Sequence, residues 1–240
     1  MLVEVCANSL ESALNAQEAG ADRIELCSEL AVGGITPSYG LLKAVRERIE
    51  IPVNVLIRPR SGDFTFSEVE FEIMKNNITL CRELGFQGIV SGILNTDYTL
   101  DKVRTQELVT CAEGMNFTFH RAFDWVKNPL EVLKQLEQMG VGYLLTSGQQ
   151  KSAIEGMCLL NELKANSSTC VIMPGSGVKE SNVEVFRENG FKAIHLSGTH
   201  FRKTLEIKPL VSMNLVSFLN DDCIAVSNKD AIRAVVNKVK

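Results

Sequence analysis

Short β-rich runs alternate with longer amphipathic stretches along the chain. Apolar and β-branched runs at Leu2–Cys6, Arg23–Cys27, Val53–Arg58, Gly88–Ile93, Asn116–His120, Tyr143–Thr146, Cys170–Pro174 and Ala193–Ser197 predict eight strands. Several are almost continuously apolar, as strands covered on both faces are. Helical periodicity fills the intervals. Asn8 or Ser9 is placed to cap a helix over Leu10–Ala19, and Pro37 with Ser38 opens one over Tyr39–Arg48. Ser67 and Glu70 form a capping box ahead of Phe71–Leu84, and Pro129 sits in the first turn before Leu130–Met139. Further helices are expected at Ser152–Lys164 and Glu180–Glu188. A glycine, a short turn and a strand recur after helices, as in Gly20-Ala-Asp-Arg-Ile24, Gly85-Phe-Gln-Gly-Ile89, Gly140-Val-Gly-Tyr-Leu144 and Gly190-Phe-Lys-Ala-Ile194. One unit is being repeated: helix, glycine C-cap, turn, strand.

Eight such units in 240 residues leave about 30 residues apiece, which fits an α/β fold with a closed (β/α)8 TIM barrel. A doubly wound open sheet is the rival, but the first strand–helix junction, Cys6-Ala-Asn-Ser, carries no GxGxxG. No Pro/Gly/Ser linker divides the chain, so one domain over 1–240 is expected. Within it, 202–226 reads as an irregular extension and 228–239 as a closing helix.

With 45% hydrophobic residues and a net charge of −4, the chain is neither disordered nor suited to nucleic acid, and no apolar run is long enough for a membrane span. The first residues lack a basic leader pattern. Seven scattered cysteines without a CxxC pair read as reduced thiols in the cytoplasm, not as a disulfide framework. Cys81, Cys111 and Cys158 fall in helical patterns and read as packing.

Alternation along a strand decides which side chains enter a barrel lumen. Polar residues in the lumen phase near strand ends are then candidates for chemistry. The candidates are Glu4 and Cys6, Glu25 and Cys27, Arg58 with Arg60, His120 followed by Arg121 and Asp124, and His195. Buried ionic groups are costly unless paired, so a purely structural core would not select them. The structural alternative is a lumen salt-bridge network of Glu4 and Glu25 with Arg58. Gly175 and Gly177 follow the seventh strand and Gly198 the eighth, where barrels bind phosphate or another anion through backbone N–H groups; tight turns are the plainer explanation. His200 and Trp125 are weaker loop candidates. Cys6 and Cys27 end neighbouring strands about 4.8 Å apart and could hold a soft, low-coordinate ion such as Cu(I), or simply fill space.

Five linked motifs resemble the CutC copper homeostasis family. They are Glu25-Leu26-Cys27, Gly33-Gly34-Ile35-Thr36-Pro37-Ser38-Tyr39-Gly40, Ile57-Arg58-Pro59-Arg60-Ser61-Gly62-Asp63-Phe64, Phe119-His120-Arg121-Ala122-Phe123-Asp124 and Leu145-Thr146-Ser147-Gly148-Gln149. Ser61 and Ser176 depart from the residues common there, without removing a chemical group. The resemblance implies a TIM barrel, a cytosolic location, homo-oligomerisation and a role in copper handling, with Cys6 and Cys27 as Cu(I) ligands. Arg-Pro-Arg, Gly-Asp-Phe and His-Arg-Ala-Phe-Asp go beyond what two thiols need. They support a second expectation, an enzyme of lyase or isomerase type on a small phosphorylated or anionic substrate. In it, Glu25 or Glu4 is the base, His120 the acid, Arg58 and Arg60 the anion clamp, and the Gly175/Gly177 loop the phosphate cradle. A ligand-free scaffold is the third expectation.

Overall fold

The computed structural model describes residues 1–213 and 221–240. Its strands are β1 (Leu2–Ala7), β2 (Arg23–Leu26), β3 (Val53–Leu56), β4 (Gly88–Ser91), β5 (Asn116–Phe119), β6 (Tyr143–Thr146), β7 (Val171–Pro174) and β8 (Ala193–Leu196). All paired neighbours run parallel, in the order β7-β6-β5-β4-β3-β2-β1-β8, so the last strand returns beside the first and the barrel is nearly closed. Helices α1 (Leu10–Glu18), α2 (Tyr39–Arg46), α3 (Glu68–Glu83), α4 (Lys102–Cys111), α5 (Pro129–Gln138), α6 (Met157–Asn166), α7 (Val183–Glu188) and α8 (Lys229–Val239) accompany them.

Local chemistry explains most boundaries. Ser9, Ser38 and Asn228 accept backbone N–H groups at the starts of α1, α2 and α8, and the Ser67/Glu70 capping box opens α3. The helix expected from Ser152 starts only at Met157. There the chain must pass against the 147–148 turn, and a Cβ on Gly156 would lie 1.9 Å from the Ser147 carbonyl oxygen. Helix α4 has no counterpart in the sequence pattern: its core face is Thr105 and Leu108, while Val103 is exposed. Cys158, expected to pack, is exposed.

Odd-numbered β1 residues Val3, Val5 and Ala7 are buried against the helices, with Ile24 and Leu26 of β2 and Val53 and Val55 of β3 in the same outer core. Fully burying each of the valine, isoleucine and leucine side chains among them contributes about 1.5–3 kcal/mol. The lumen holds two smaller apolar groups. Leu145, Met173 and Ala193 pack on the β6–β8 side, and Cys6, Cys27, Leu56 and Val90 on the β1–β4 side. The extension expected to be irregular over 202–226 is partly regular: Thr199–Lys203 (β9), which begins before it, and Cys223–Ser227 (β10) form an antiparallel hairpin, and 214–220 lie outside the described residues.

Candidate functional site at the barrel mouth

The register of three strands assembles an ionic cluster. Glu4 of β1 stands opposite Arg23 of β2 and His195 of β8, and Cys6 stands opposite Glu25. Glu4, wholly buried, receives Arg23 Nε on Oε2 at 2.5 Å, and its Oε1 lies 2.9 Å from His195 Nδ1. Arg23 also lies over the Tyr143 ring at 4.1 Å. Burial alone would raise the Glu4 carboxyl; the His195 hydrogen bond and the charges of Arg23 and His195 outweigh it and hold the pKa below the usual carboxylate range. Burial would likewise discharge His195, but Glu25, Cys6 and Glu4 together keep the imidazole protonated well above its ordinary range.

Glu25 is raised instead, by burial first and then by the charge of Glu4, against the opposing pull of His195. Its Oε1 lies 3.6 Å from Cys6 Sγ, and its buried Oε2 has no partner. The Cys6 thiol lies 3.5 Å from Cys27 Sγ, and that neighbour, burial and Glu25 push it well above the usual thiol range. One ligand atom each from Cys6, Glu25 and His195 lie within 4.8 Å of one another, and Cys6 is also the residue that touches the Cys27 thiol.

The opposite wall works differently. Arg58 gives Nη1 to the Val32 and Gly34 carbonyls at 2.7 and 2.9 Å, and Nη2 to the Gly62 carbonyl at 2.7 Å. The expected salt bridge of Arg58 with Glu4 and Glu25 is therefore absent. Arg58 lies beyond the end of β3 and is neutralised by loop carbonyl dipoles, and the counter-ion of Glu4 is Arg23. His120 Nδ1 accepts the Ala122 N–H at 3.2 Å, and burial and the Arg58 charge press its pKa down to about 3, so the ring is neutral. Gly92 makes room for it: a Cβ there would lie 2.6 Å from His120 Nδ1.

Both walls face one cavity of about 570 Å³. Cys6, Glu25, Arg58, His120 and His195 line it, as do Gly177 and Gly198. Five expected residues are outside this lining: Glu4 and Cys27, whose contacts are given above, and three that serve loops. Arg60 ties its own loop to α3 through Glu70 Oε1 at 2.6 Å and Asp63 Oδ1 at 3.1 Å. Asp124 accepts from Arg121 Nε at 2.8 Å and from Thr146, Ser147 and Gln149, which builds the β6 loop. Gly175 gives its N–H to the Thr146 carbonyl and packs against Leu145 and His195. Of the two cations that sequence reasoning passed over, Arg23 shares the lumen phase of Glu25 within one strand, a signal present in the alternation. Lys179 lines the cavity directly after the glycine loop.

The CutC family model matches residues 1–200, the span that carries both walls. The chain belongs to the CutC family. It is 48% identical over 196 residues to the CutC family protein of Enterobacter sp. (strain 638), covering 82% of this chain and 79% of that one. The Salmonella paratyphi A protein is 46% identical over the same length. The solved CutC structure from Streptococcus agalactiae, whose description proposes a role in copper homeostasis, matches with a TM-score of 0.78 and 32% identity over 82% of this chain and 98% of that one. Among the described residues of this CutC chain, no helix is long and apolar enough to cross a membrane.

Proposed function

We propose that the barrel mouth binds a small anionic metabolite and performs proton-transfer chemistry on it. The carrying observation is the charge of the lining: among the described residues Arg58 and Lys179 face the cavity without a carboxylate partner, beside Arg121 paired to Asp124 and protonated His195 paired to Glu4, and Glu25 is the single carboxyl group that lines it. A low-dielectric pocket with that balance favours an anion. Gly177 and Gly198, both at positive φ, turn the loops after β7 and β8 so that backbone approaches the same space. Glu25, with one unpartnered oxygen and a raised pKa, is the base, and His195 beside it returns the proton. The seven free thiols support a reducing, cytoplasmic setting.

The test is calorimetric titration with inorganic phosphate and a panel of phosphorylated sugars and acids. Saturable binding that falls about tenfold in Lys179→Ala is expected, since a charge-assisted hydrogen bond contributes about 1.5–3 kcal/mol. No heat from any of them in the wild type sinks the proposal.

The 3.5 Å thiol pair favours a second reading, Cu(I) as cargo on Cys6 and Cys27 with His195 assisting. The donors suit a soft ion, and Glu4 on Nδ1 would fix the His195 ring as carboxylates fix metal-ligating imidazoles. Binding has to displace the Cys6 proton, which the Cys27 thiol, burial and Glu25 hold tightly. Competition for Cu(I) against a chelator should show Cys6→Ser and Cys27→Ser each losing affinity with proton release abolished. Equal competition by wild type and both variants removes this site.

A further inference from the structure

The cavity wall contains two buried N–H donors that the fold leaves unused. Arg58 spends its Nη groups on three loop carbonyls, and its Nε–H has no partner. His120 accepts at Nδ1 from the Ala122 N–H, so the neutral ring carries its proton on Nε2, which also has no partner. Both residues are more than nine-tenths buried (6% and 5% exposed for His120 and Arg58). Buried donors without partners are rare in folded proteins and call for an explanation. Both side chains border Phe64: its ring centre is 4.9 Å from the His120 ring and 5.0 Å from the Arg58 guanidinium carbon. All three line the cavity. The imidazole cannot easily turn away, because Gly92 is packed against it where even a Cβ would collide.

We infer that His120 Nε2–H and Arg58 Nε–H form a subsite for the carbonyl oxygen of the substrate, which places the ligand among carbonyl compounds with an acidic neighbouring C–H. The inference rests on the proposed proton-transfer function and names its substrate class. The step balances without a co-reactant. Glu25 takes the proton from the carbon next to the carbonyl, the C–H electron pair forms the new C=C bond, and the C=O π pair moves onto oxygen. The developing enolate oxygen then lies between a neutral imidazole donor and a guanidinium donor. A neutral donor matches an oxygen that is uncharged in the ground state and charged in the transition state, and stabilises it selectively as charge appears. Burial and the Arg58 charge keep the ring in this neutral form. A phosphate group, charged throughout, is better served by Lys179 and the glycine loops that line the same cavity.

The experiment uses the full chain with two probes, oxalate as a planar dianion resembling an enediolate, and inorganic phosphate. Calorimetry should give saturable oxalate binding in the wild type. His120→Gln, which keeps an N–H donor, should stay within about threefold of it, and His120→Phe should lose at least tenfold, about 1.4 kcal/mol by the standard conversion. Phosphate affinity should not change in either variant. In ¹⁵N spectra of the wild type, the His120 Nε2–H signal should shift with oxalate and stay fixed with phosphate; this arm decides the matter if His120→Phe does not fold. Equal oxalate affinity in His120→Phe, or an unmoved His120 signal, overturns the subsite. Phosphate binding without oxalate binding overturns the subsite and leaves the anion site standing, whereas a wild type that binds neither probe overturns both.

Discussion

The two walls of the mouth bury charge by opposite means. On the β1/β2/β8 side, charge meets charge: Arg23 and protonated His195 flank Glu4, and Glu25 lies close by. On the side that follows β3 and β5, charge meets dipoles: Arg58 is surrounded by carbonyls and His120 is kept neutral. The first arrangement occupies both Glu4 oxygens and leaves one free acceptor, Glu25 Oε2. The second leaves two free donors. A ligand that gives a proton to one wall and accepts hydrogen bonds from the other fits this asymmetry. An ion held by thiols uses only the first wall.

The largest expected effect breaks the first wall. Arg23→Met removes the counter-ion of a carboxylate that has no access to water, and should destabilise the protein by about 3–5 kcal/mol in denaturant unfolding. Adding Glu4→Gln should return most of that loss, because the isolated charge is the source of the penalty and not the missing contact. If Arg23→Met costs no more than a surface substitution, the ionic account of this wall is wrong. Next in size is Gly92→Ala on the second wall. The new methyl would sit 2.6 and 2.7 Å from His120 Nδ1 and Cε1, so it should cost about 1–3 kcal/mol and displace the ring. Its thermal midpoint and His120 ¹⁵N shifts should change together; a change in stability with unmoved shifts would show that the ring is not what Gly92 accommodates.

The walls should also part in their pH response. Glu4, with its folded pKa depressed, gives stability that is present above its ordinary value of about 4.3 and is lost as pH falls through the folded value. His195, with its folded pKa raised, gives stability that is full below about 6.5 and is lost as pH rises through the folded value. The advantage of wild type over His195→Gln should therefore be greatest in mildly acidic buffer and fade toward alkaline pH. His120→Gln should show no such fade there, because the His120 ring is already neutral. An advantage of wild type over His195→Gln that grows with pH would reverse the assigned charge.

What the sequence disclosed divides along the same line. The strands and the lumen phase of Glu4, Cys6, Glu25, Cys27 and His195 were legible, because alternation is strict where both faces are buried and the pairing register carries it from strand to strand. Height along the barrel axis was not legible. Glu4 lies level with Arg23, while Arg58 follows the last β3 residue, Leu56, so a pairing of Glu4 with Arg58 by charge alone joins groups at different heights. Beyond a strand end, phase loses its meaning. Asp124 follows β5 within a 3₁₀ turn that directs it to the neighbouring loop. Helix α4 was hidden for a different reason: a buried threonine and an exposed valine invert the pattern that periodicity reads.

Arg60 gives the smallest expected effect and the sharpest check on where the second wall ends. It shares the phase of Arg58 two residues earlier, and by sequence the two form one clamp. In the structure Arg60 is about one-third exposed and bonds Glu70, Asp63 and the Thr65 carbonyl, within or beside its own loop. Solvent screens such pairs, so Arg60→Ala should cost about 1 kcal/mol or less. Because the cavity lining excludes it, phosphate and oxalate affinities should stay within about twofold, at or below roughly 0.4 kcal/mol. A tenfold loss of either anion in Arg60→Ala would mean that the loop carrying Phe64 moves when ligand binds and brings Arg60 inward. The second wall would then be completed by the ligand itself rather than built in advance by the Arg58 and His120 contacts.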